Sequence, residues 1–175
     1  LLVIAKNNKS HLNLSKQFKE HTISRKYKAI VWGVPNNQKI EGYIERHKIN
    51  RKKMSLNKNG KGKFSKTKLK LIQSFKIASL IECKLETGRT HQIRVHMTSI
   101  NSSIVGDKIY GKNNKNKFSK DPKTYNKFLI LQNFKRQALH AYHLGFIHPK
   151  TEKYIEFNED LPSDISDLLK LLAKY

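Results

Sequence analysis

The residues with the clearest chemical potential lie in the stretch LETGRTHQIRVHM, positions 85–97. Arg89, His91, Arg94 and His96 fall within eight positions there, directly after a glycine. A planar guanidinium binds a carboxylate or phosphate through two parallel hydrogen bonds, so Arg94 is a candidate for holding an anion inside a cleft. The two histidines are five residues apart without a neighbouring carboxylate, which argues against a metal site. The alternative interpretation is an amphipathic helix whose arginines are solvated.

A short helix must position these side chains. The apolar spacing i, i+4, i+7 predicts a helix over residues 90–100 that begins after Gly88. The N–H groups at such a helix start favour an anion. Six residues divide between its two sides: Ile93, Met97 and Ile100 on the buried side, and His91, Arg94 and Val95 on the other.

The rest of the chain predicts a single α+β domain over 1–175, with a mixed, largely antiparallel sheet, flanking helices and basic loops. No internal repeat or domain linker is visible. The predicted elements are a core strand at 1–5, a helix from Asn8 or Ser10 to about Glu20, a strand at 26–33, a loop or floppy hairpin at 45–70, one or two strands at 75–85, a tight turn at 106–111, a basic loop at 112–127, a hairpin turning at 149–152 and a helix at 162–174.

Charge points to a polyanionic partner. The chain has 36 basic and 13 acidic residues, a net charge of +23. Nucleic acid is the first partner that such a surface suggests, and an anionic membrane surface is the second. The apolar runs are too short to span a bilayer, which needs about 20 residues, so no membrane association is expected. One cysteine, Cys83, excludes an internal disulfide and a cysteine-based zinc site, which favours a reducing, cytoplasmic location.

Five stretches in collinear order resemble the RluA/RluD-type pseudouridine synthases. The most specific is LETGRTHQIRVHM followed by GDKIYG at 106–111. The other four resemble the segment after the catalytic-aspartate loop, the tyrosine motif, the basic insertion and the leucine motif: LLVIAKN…HLNLSKQF at 1–18, KYKAIVWGVP at 26–35, RHKINRKKM at 46–54 and RQALHAYHLGFIHP at 136–149.

This resemblance implies a pseudouridine-synthase-like fold and the conversion of uridine to pseudouridine in RNA. The bond from the sugar to N1 breaks, the base turns, and a bond to C5 forms. No metal or cofactor is implied. The target base must leave its stack, at a cost of a few kcal/mol. Large-subunit ribosomal RNA is the implied substrate, and a monomer is the implied state.

The resemblance also assigns roles to individual residues. Tyr27 matches the tyrosine that stacks on the flipped base and helps to remove the C5 proton. Arg94 matches the arginine that forms a salt bridge with the catalytic aspartate, and Leu139 matches the apolar residue against the uracil pocket. Asp107 and Tyr110 are implied to be structural or at the pocket rim. The implied substrate or RNA contacts are Arg89, His91, Gln92, Arg25, Lys26 and Arg51.

One departure from the family pattern is serious. The catalytic aspartate belongs to an RLD motif expected a few residues before Leu1. None of the aspartates at 107, 121, 160, 164 and 167 lies in such a motif. The sequence therefore predicts a catalytic domain that lacks its N-terminal part and is inactive alone. The alternative is a non-catalytic RNA-binding or ribosome-assembly module that has lost the nucleophile.

Overall fold

A seven-stranded sheet forms the centre of the chain in a computed structural model, which describes residues 1–111 and 122–174. The strand order is β3-β2-β4-β5-β1-β6-β7, and every neighbouring pair is antiparallel. The α+β prediction with a largely antiparallel sheet is therefore confirmed. The elements in chain order are α1 (Asn8–Lys19), β1 (Ser24–Trp32), β2 (Gln38–Arg46), β3 (Met54–Asn57), β4 (Lys63–Ser74), β5 (Ala78–Leu85), α2 (Gln92–Ser99), α3 (Pro122–Gln132), β6 (Leu139–Ile147), β7 (Tyr154–Asn158) and α4 (Ser163–Lys174).

Strands β1 and β5 lie in the middle of the sheet and carry much of the core. Ala29, Ile30 and Val31 are fully buried on consecutive positions of β1, so apolar side chains cover both faces of the strand there. The helices α3 and α4 contribute Phe128, Leu131, Ile165, Leu168 and Leu172 to the same core. The centre of the sheet is therefore rigid, and its polar ends can position functional side chains.

The prediction of a loop or floppy hairpin at 45–70 was only partly right, because β2 and β3 form a hairpin there but residues 63–70 belong to the long strand β4. Ser65, Thr67 and Leu69 are buried on alternating positions of β4, between lysines that lie towards solvent. Such alternation is the pattern of a half-buried strand. The lysines concealed it because they lower the hydrophobicity of the whole window.

The prediction of a core strand at 1–5 was wrong. These residues form no helix or strand, and the side chains of Leu2 and Ile4 are 82% and 78% exposed. Helix α1 follows with Asn7 as its N-cap, because the Asn7 side chain accepts the Ser10 N–H at 2.9 Å. Gln17 then ties α1 to β6 by bonding both the N–H and the carbonyl of Ile147.

Of the remaining predicted elements, those in the second half of the chain are mostly confirmed, and the basic loop at 112–127 is corrected in part. The tight turn at 106–111, the β6–β7 hairpin and the C-terminal helix are confirmed. Residues 112–121 of the predicted basic loop lie outside the described residues, and 122–127 belong to α3 instead. In the part of the chain that the structure describes, no helix has the length and apolar character needed to cross a membrane.

Candidate active site

Tyr27 lies at the centre of the site because β1 holds it between two neighbouring strands. It pairs with Cys83 of β5 and with Ala141 of β6. The β1–β6 register shifts between Lys26 and Tyr27, so Tyr142 is an extra residue on β6. Such bulges redirect side chains and are common beside functional sites. Burial raises the pKa of the Tyr27 hydroxyl, which keeps the ring neutral.

Arg94 is held by a buried carboxylate. Its Nε and Nη2 each donate to Asp107 at 2.8 Å, and its guanidinium carbon lies 4.8 Å from the centroid of the Tyr110 ring. The Asp107 side chain is 0% exposed and also accepts the N–H groups of Ile109 and Tyr110. Burial alone would raise the pKa of Asp107, but the Arg94 guanidinium and these N–H groups together lower it.

The carboxylate partner of Arg94 was expected to be the catalytic aspartate. In the structure that partner is Asp107, which lies in a turn 13 residues further along the chain. The Asp107 carboxylate is fully used by Arg94 and by the two N–H groups of its turn. The bidentate contact uses Nε and Nη2 of Arg94, so Nη1 lies outside it. A further anion at Arg94 would have to be bound through Nη1.

His91 begins α2 in a strained conformation. Its φ of 56° lies in the left-handed region, and its side chain forms no cap hydrogen bond. Its Nδ1 lies 3.0 Å from the Tyr110 hydroxyl, which accepts the Met54 N–H at 2.6 Å. The Tyr110 O–H can thus donate to Nδ1, which places the His91 proton on Nε2. Burial and the Arg94 charge lower the pKa of His91.

A closed network of hydrogen bonds fixes α2 on the sheet. Gln92 donates to the Lys66 carbonyl and to Thr67, and accepts from the Thr87 hydroxyl and from the Arg89 N–H. All four hydrogen-bonding positions of the Gln92 amide are therefore used. Gln92 supports the wall of the site and has no hydrogen bond left for RNA, which corrects the expectation from the sequence.

His96 completes this network beneath the helix. Ser65 donates to the Gly42 carbonyl at 2.7 Å and lies 2.9 Å from His96 Nε2, so Nε2 carries the proton. Nδ1 then accepts from Thr67. Burial lowers the pKa of His96 to about 4. His96 and Val95 are both buried, so the predicted polar side of this helix is narrower than the sequence indicated.

An open cavity of about 340 Å³ lies between the Tyr27 region of the sheet and the start of α2. Tyr27 and Leu139 contribute from β1 and β6, while Arg89, His91 and Arg94 contribute from the start of α2 and the loop before it. The cavity therefore combines an aromatic ring, an apolar side chain, a hydrogen-bonding imidazole and a guanidinium. Such a set can bind a flat polar ring and an anion together.

Three predicted contact residues lie outside this cavity. Lys26 precedes Tyr27 on β1, so its side chain is directed to the opposite face of the strand. Arg51 is exposed in the β2–β3 connection. Arg25 lines a separate cavity of about 190 Å³, which shares Tyr27 with the first.

A neighbouring groove adds Arg46, the first residue of the motif that resembles the basic insertion, and Lys63, which the sequence did not single out. It has a volume of about 410 Å³, and Arg89 lines both the groove and the cavity. Arg46 and Lys63 line it from β2 and β4. Both residues lie in the basic region of the sequence. A search of that region for basic residues that alternate with apolar or small ones could have found them.

Within residues 1–111 and 122–174, no group of three His, Cys, Asp or Glu side chains could hold a metal ion. The groups that line the cavity offer positive charge, hydrogen-bond donors and an aromatic ring. The antiparallel sheet and this cavity define an α+β domain with an anion-binding group beside an aromatic ring.

The comparisons with known proteins identify the family. The family model described as RNA pseudouridylate synthase matches residues 1–99. The chain therefore belongs to the RNA pseudouridylate synthase family.

Two bacterial relatives show how much of the family's chain is covered here. The chain is 45% identical over 173 residues to a ribosomal large subunit pseudouridine synthase D of Zymomonas mobilis, covering 98% of this chain and 52% of that protein. It is 39% identical to an uncharacterized RNA pseudouridine synthase, YlyB, of Bacillus subtilis, covering 99% of this chain and 52% of that protein. The chain thus spans about half the length of the curated relatives it matches.

Solved structures confirm the fold. The human RNA pseudouridylate synthase domain containing 4 superposes with a TM-score of 0.73 at 21% identity, covering 95% of this chain and 69% of that one. The human RNA pseudouridylate synthase domain containing 1 gives a TM-score of 0.63 at 21% identity, covering 98% of this chain and 74% of that one.

Proposed function

We propose that the protein containing this chain converts uridine to pseudouridine in RNA, with large-subunit ribosomal RNA as the substrate. The observation that carries the proposal is the shared cavity of Tyr27, Arg94 and Leu139. Relatives over 40% identical that are named ribosomal large subunit pseudouridine synthase D support the choice of RNA.

The cavity suits an extruded uridine. The Tyr27 ring provides a face for the base to stack on, and base–aromatic stacking stabilises binding by about 1–3 kcal/mol. Leu139 packs against the ring edge. His91, with its proton on Nε2, donates a hydrogen bond to a carbonyl oxygen of the base. The lowered pKa keeps His91 neutral, so this donor does not add a cation beside Arg94.

The nucleophile is expected from a segment before Leu1. The main-chain nitrogen of Leu1 lies 2.9 Å from the Ala141 carbonyl oxygen, and Ala141 is the partner of Tyr27 in the sheet. A preceding segment would therefore start beside the Tyr27 ring. An aspartate there would attack the flipped nucleotide, and Nη1 of Arg94 would orient its carboxylate and keep it ionised.

No described aspartate takes this role, since none lines the cavity. Asp107 and Asp164 are paired with Arg94 and Arg136. We therefore propose that the 175-residue chain alone binds RNA without isomerising it. This same observation favours the second candidate, a non-catalytic RNA-binding or ribosome-assembly module.

Tritium release separates the two candidates. Isomerisation replaces the C5–H bond of uridine by the new bond to the sugar, so RNA labelled with tritium at C5 loses it to water. The protein extended upstream through the RLD segment should release tritium from large-subunit ribosomal RNA, and changing that aspartate to Asn should stop the release. RNA binding without any release from the extended protein would instead support the non-catalytic module.

Two further properties stay predictions, namely a monomeric state and a cytoplasmic location. Light scattering during gel filtration, with and without RNA, would test the first. A fluorescent fusion at the native expression level would test the second.

A further inference from the structure

Tyr110 joins the start of α2 to the β2–β3 hairpin. The residue is buried, with 7% of its surface exposed. Its hydroxyl accepts the Met54 N–H at 2.6 Å and lies 3.0 Å from Nδ1 of His91. Its ring meets the His91 ring edge-on at 5.6 Å and lies under the Arg94 guanidinium. These contacts hold the Tyr110 hydroxyl oxygen in one position beside His91.

Met54 decides the direction of the Tyr110 proton. A main-chain N–H can only donate, so the hydroxyl oxygen is the acceptor towards Met54. Burial raises the pKa of the Tyr110 hydroxyl, so the group keeps its own proton at neutral pH. In the part of the chain that the structure describes, His91 Nδ1 is the one acceptor that this hydroxyl reaches. The Tyr110 O–H therefore donates to Nδ1 and leaves the imidazole proton on Nε2.

The backbone of His91 is strained where this contact forms. Its φ of 56° is unfavourable for a residue with a Cβ, and its side chain does not cap α2. Its carbonyl nonetheless accepts the Val95 N–H at 3.0 Å and begins the helix. Strained residues of this kind cluster at sites where a side chain must be aimed. The imidazole is thus directed to Tyr110 and the cavity, and it makes no contact with the helix end.

The imidazole presents its other nitrogen to the cavity. His91 lines the cavity that contains Tyr27 and Leu139, whereas Tyr110 lies in the wall behind it. Nδ1 is turned to that wall, so Nε2 is the nitrogen that a bound base can meet. Burial and the Arg94 charge lower the pKa of His91, so the ring is neutral and offers a single donor there.

We propose that Tyr110, by fixing the tautomer of His91, makes this cavity select uracil over cytosine. The proposal rests on the proposed function, because it takes a flipped uridine as the occupant. The two bases differ at C4, where uracil carries a carbonyl oxygen and cytosine an amino group. The Nε2–H of His91 can donate to O4 of uracil. Against cytosine it would face the N–H groups of the amine, and both donors would lack an acceptor.

The orientation of the base follows from the two cavities on either side of Tyr27. Leu1 and Ala141 line a second cavity, which shares Tyr27 with the first. The nucleophile is expected from a segment before Leu1, so the sugar of the flipped nucleotide faces that side. O4 lies across the ring from N1, the atom that carries the sugar. The O4 edge therefore faces the α2 side of the cavity, where His91 lies.

Oligonucleotides with a single base test this proposal on the full-length protein. Each carries one uridine, one cytidine or one 2-pyrimidinone nucleotide, which has no substituent at C4, between abasic nucleotides. Their phosphates are identical, so the electrostatic part of binding cancels between them. The native protein should bind the uridine oligonucleotide about thirtyfold more tightly than the cytidine one. Equal binding of these two by the native protein would overturn the proposal.

Tyr110→Phe should reduce this preference to about threefold, because Nδ1 of His91 can then carry the proton and Nε2 can accept from cytosine. The 2-pyrimidinone oligonucleotide should bind the native protein and Tyr110→Phe equally, since it offers nothing to Nε2 at C4. A preference in Tyr110→Phe as large as that of the native protein would overturn the proposal.

Two further variants serve as controls. Tyr154→Phe removes the hydroxyl of a tyrosine that is 55% exposed on β7, outside the cavity, so it should keep the native preference. His91→Gln replaces the imidazole by an amide that can turn to donate or to accept. It should therefore lose the preference even with Tyr110 in place. A native preference in His91→Gln would show that another group reads C4 and would contradict the proposal.

Nitrogen NMR reports the tautomer directly. In protein isotope-labelled at the histidine nitrogens, His91→Gln identifies the signals of His91. The native spectrum should show an unprotonated Nδ1 and a protonated Nε2, and Tyr110→Phe should show the two tautomers in exchange. A loss of stability alone would not produce this exchange, so the spectrum separates a positioning role of Tyr110 from a purely structural one. A protonated Nδ1 in the native protein would contradict the proposal.

Tritium release keeps this inference apart from the proposed function. If the native protein releases tritium while Tyr110→Phe keeps the full preference for uridine, only this inference fails. If Tyr110 governs the preference but no tritium is released, only the proposed catalysis fails.

Discussion

The two sides of Tyr27 each hold an arginine, and the two arginines differ in one respect. Arg94 offers its Nε and Nη2 edge to Asp107, a carboxylate of the same chain. Arg25 offers the same edge to nothing within the described residues. The paired arginine is part of the wall and holds it in place. Arg25 instead lies beside the first residues of the chain, with Leu1, Leu2 and Val3 lining the same cavity.

The surroundings of the two arginines differ in the same way. Beneath Arg94, the buried side chains of Thr67, Thr87, Gln92 and His96 all bond to one another or to the backbone. Arg25 lies instead beside the N-terminal stretch, which belongs to no helix or strand. One side of Tyr27 is therefore fixed by side-chain hydrogen bonds, and the other lies beside a stretch that belongs to no helix or strand.

Removing Arg94 should have the largest effect. Arg94→Met leaves the buried Asp107 carboxylate unpaired, which should lower the free energy of unfolding by about 3–5 kcal/mol. It also removes the group that orients the catalytic carboxylate, so tritium release should fall more than a hundredfold. Urea unfolding and the release assay measure the two losses.

The double variant Arg94→Met, Asp107→Asn is the control for this loss. Because it removes both charges, it should recover much of the stability but none of the activity. A stable and fully active double variant would show that Arg94 serves only the fold.

Acid should weaken the rigid side through His96. Its pKa is about 4 in the folded chain and about 6.5 when unfolded, so the unfolded state binds the proton first. Its contribution to stability is fully present above pH 6.5 and should fall by about 3 kcal/mol as the pH decreases to 4. Urea unfolding at several pH values measures this change.

His96→Gln supplies the comparison, because glutamine cannot titrate. The difference in unfolding free energy between native and variant proteins should shrink as the pH falls through this window. A difference that stays constant from pH 7 to pH 4 would mean that His96 is protonated equally in both states.

Tyr27 should affect chemistry more than binding. Tyr27→Phe keeps the ring that stacks on the base but removes the hydroxyl. Tritium release should therefore fall about a hundredfold while RNA affinity stays unchanged. Tyr27→Ala should in addition weaken binding by about 1–3 kcal/mol. Full activity of Tyr27→Phe would limit Tyr27 to stacking.

A third arginine should show the smallest effect. Arg136 makes the same bidentate contact with Asp164, but both side chains are more than 40% exposed. Solvent screens such pairs, so Arg136→Gln should lower stability by less than about 1 kcal/mol. A loss of stability as large as that of Arg94→Met would show that the stabilisation by such an ion pair does not depend on its burial.

Motif spacing and apolar periodicity made much of the fold predictable from the sequence. The turn at 106–111 and the β6–β7 hairpin have strong local signals. Strand β4 was missed because its lysines at alternating positions dominate the composition. The stretch 1–5 was wrongly predicted as a strand, because apolar residues alone do not show whether a neighbouring strand is available.

The sequence predicted which residues form the site but not the hydrogen bonds that join them. The resemblance named Tyr27, Arg94 and Leu139, which do line one cavity. The Arg94–Asp107 pair joins residues 13 apart across a turn, and no sequence period relates them. The unpartnered edge of Arg25 depends on which groups the fold brings near it, so only a structure can show it.

Photo-crosslinking tests most directly the claim that the target base occupies the cavity beside Tyr27. An oligouridine with one 5-iodouridine would be irradiated with the full-length protein, and the crosslinked residues would be mapped by mass spectrometry. The structure predicts crosslinks to Tyr27 and His91 that unlabelled oligouridine competes away. Crosslinks confined to the basic β2–β3 connection, with none at Tyr27 or His91, would contradict the assignment of this cavity as the uridine site.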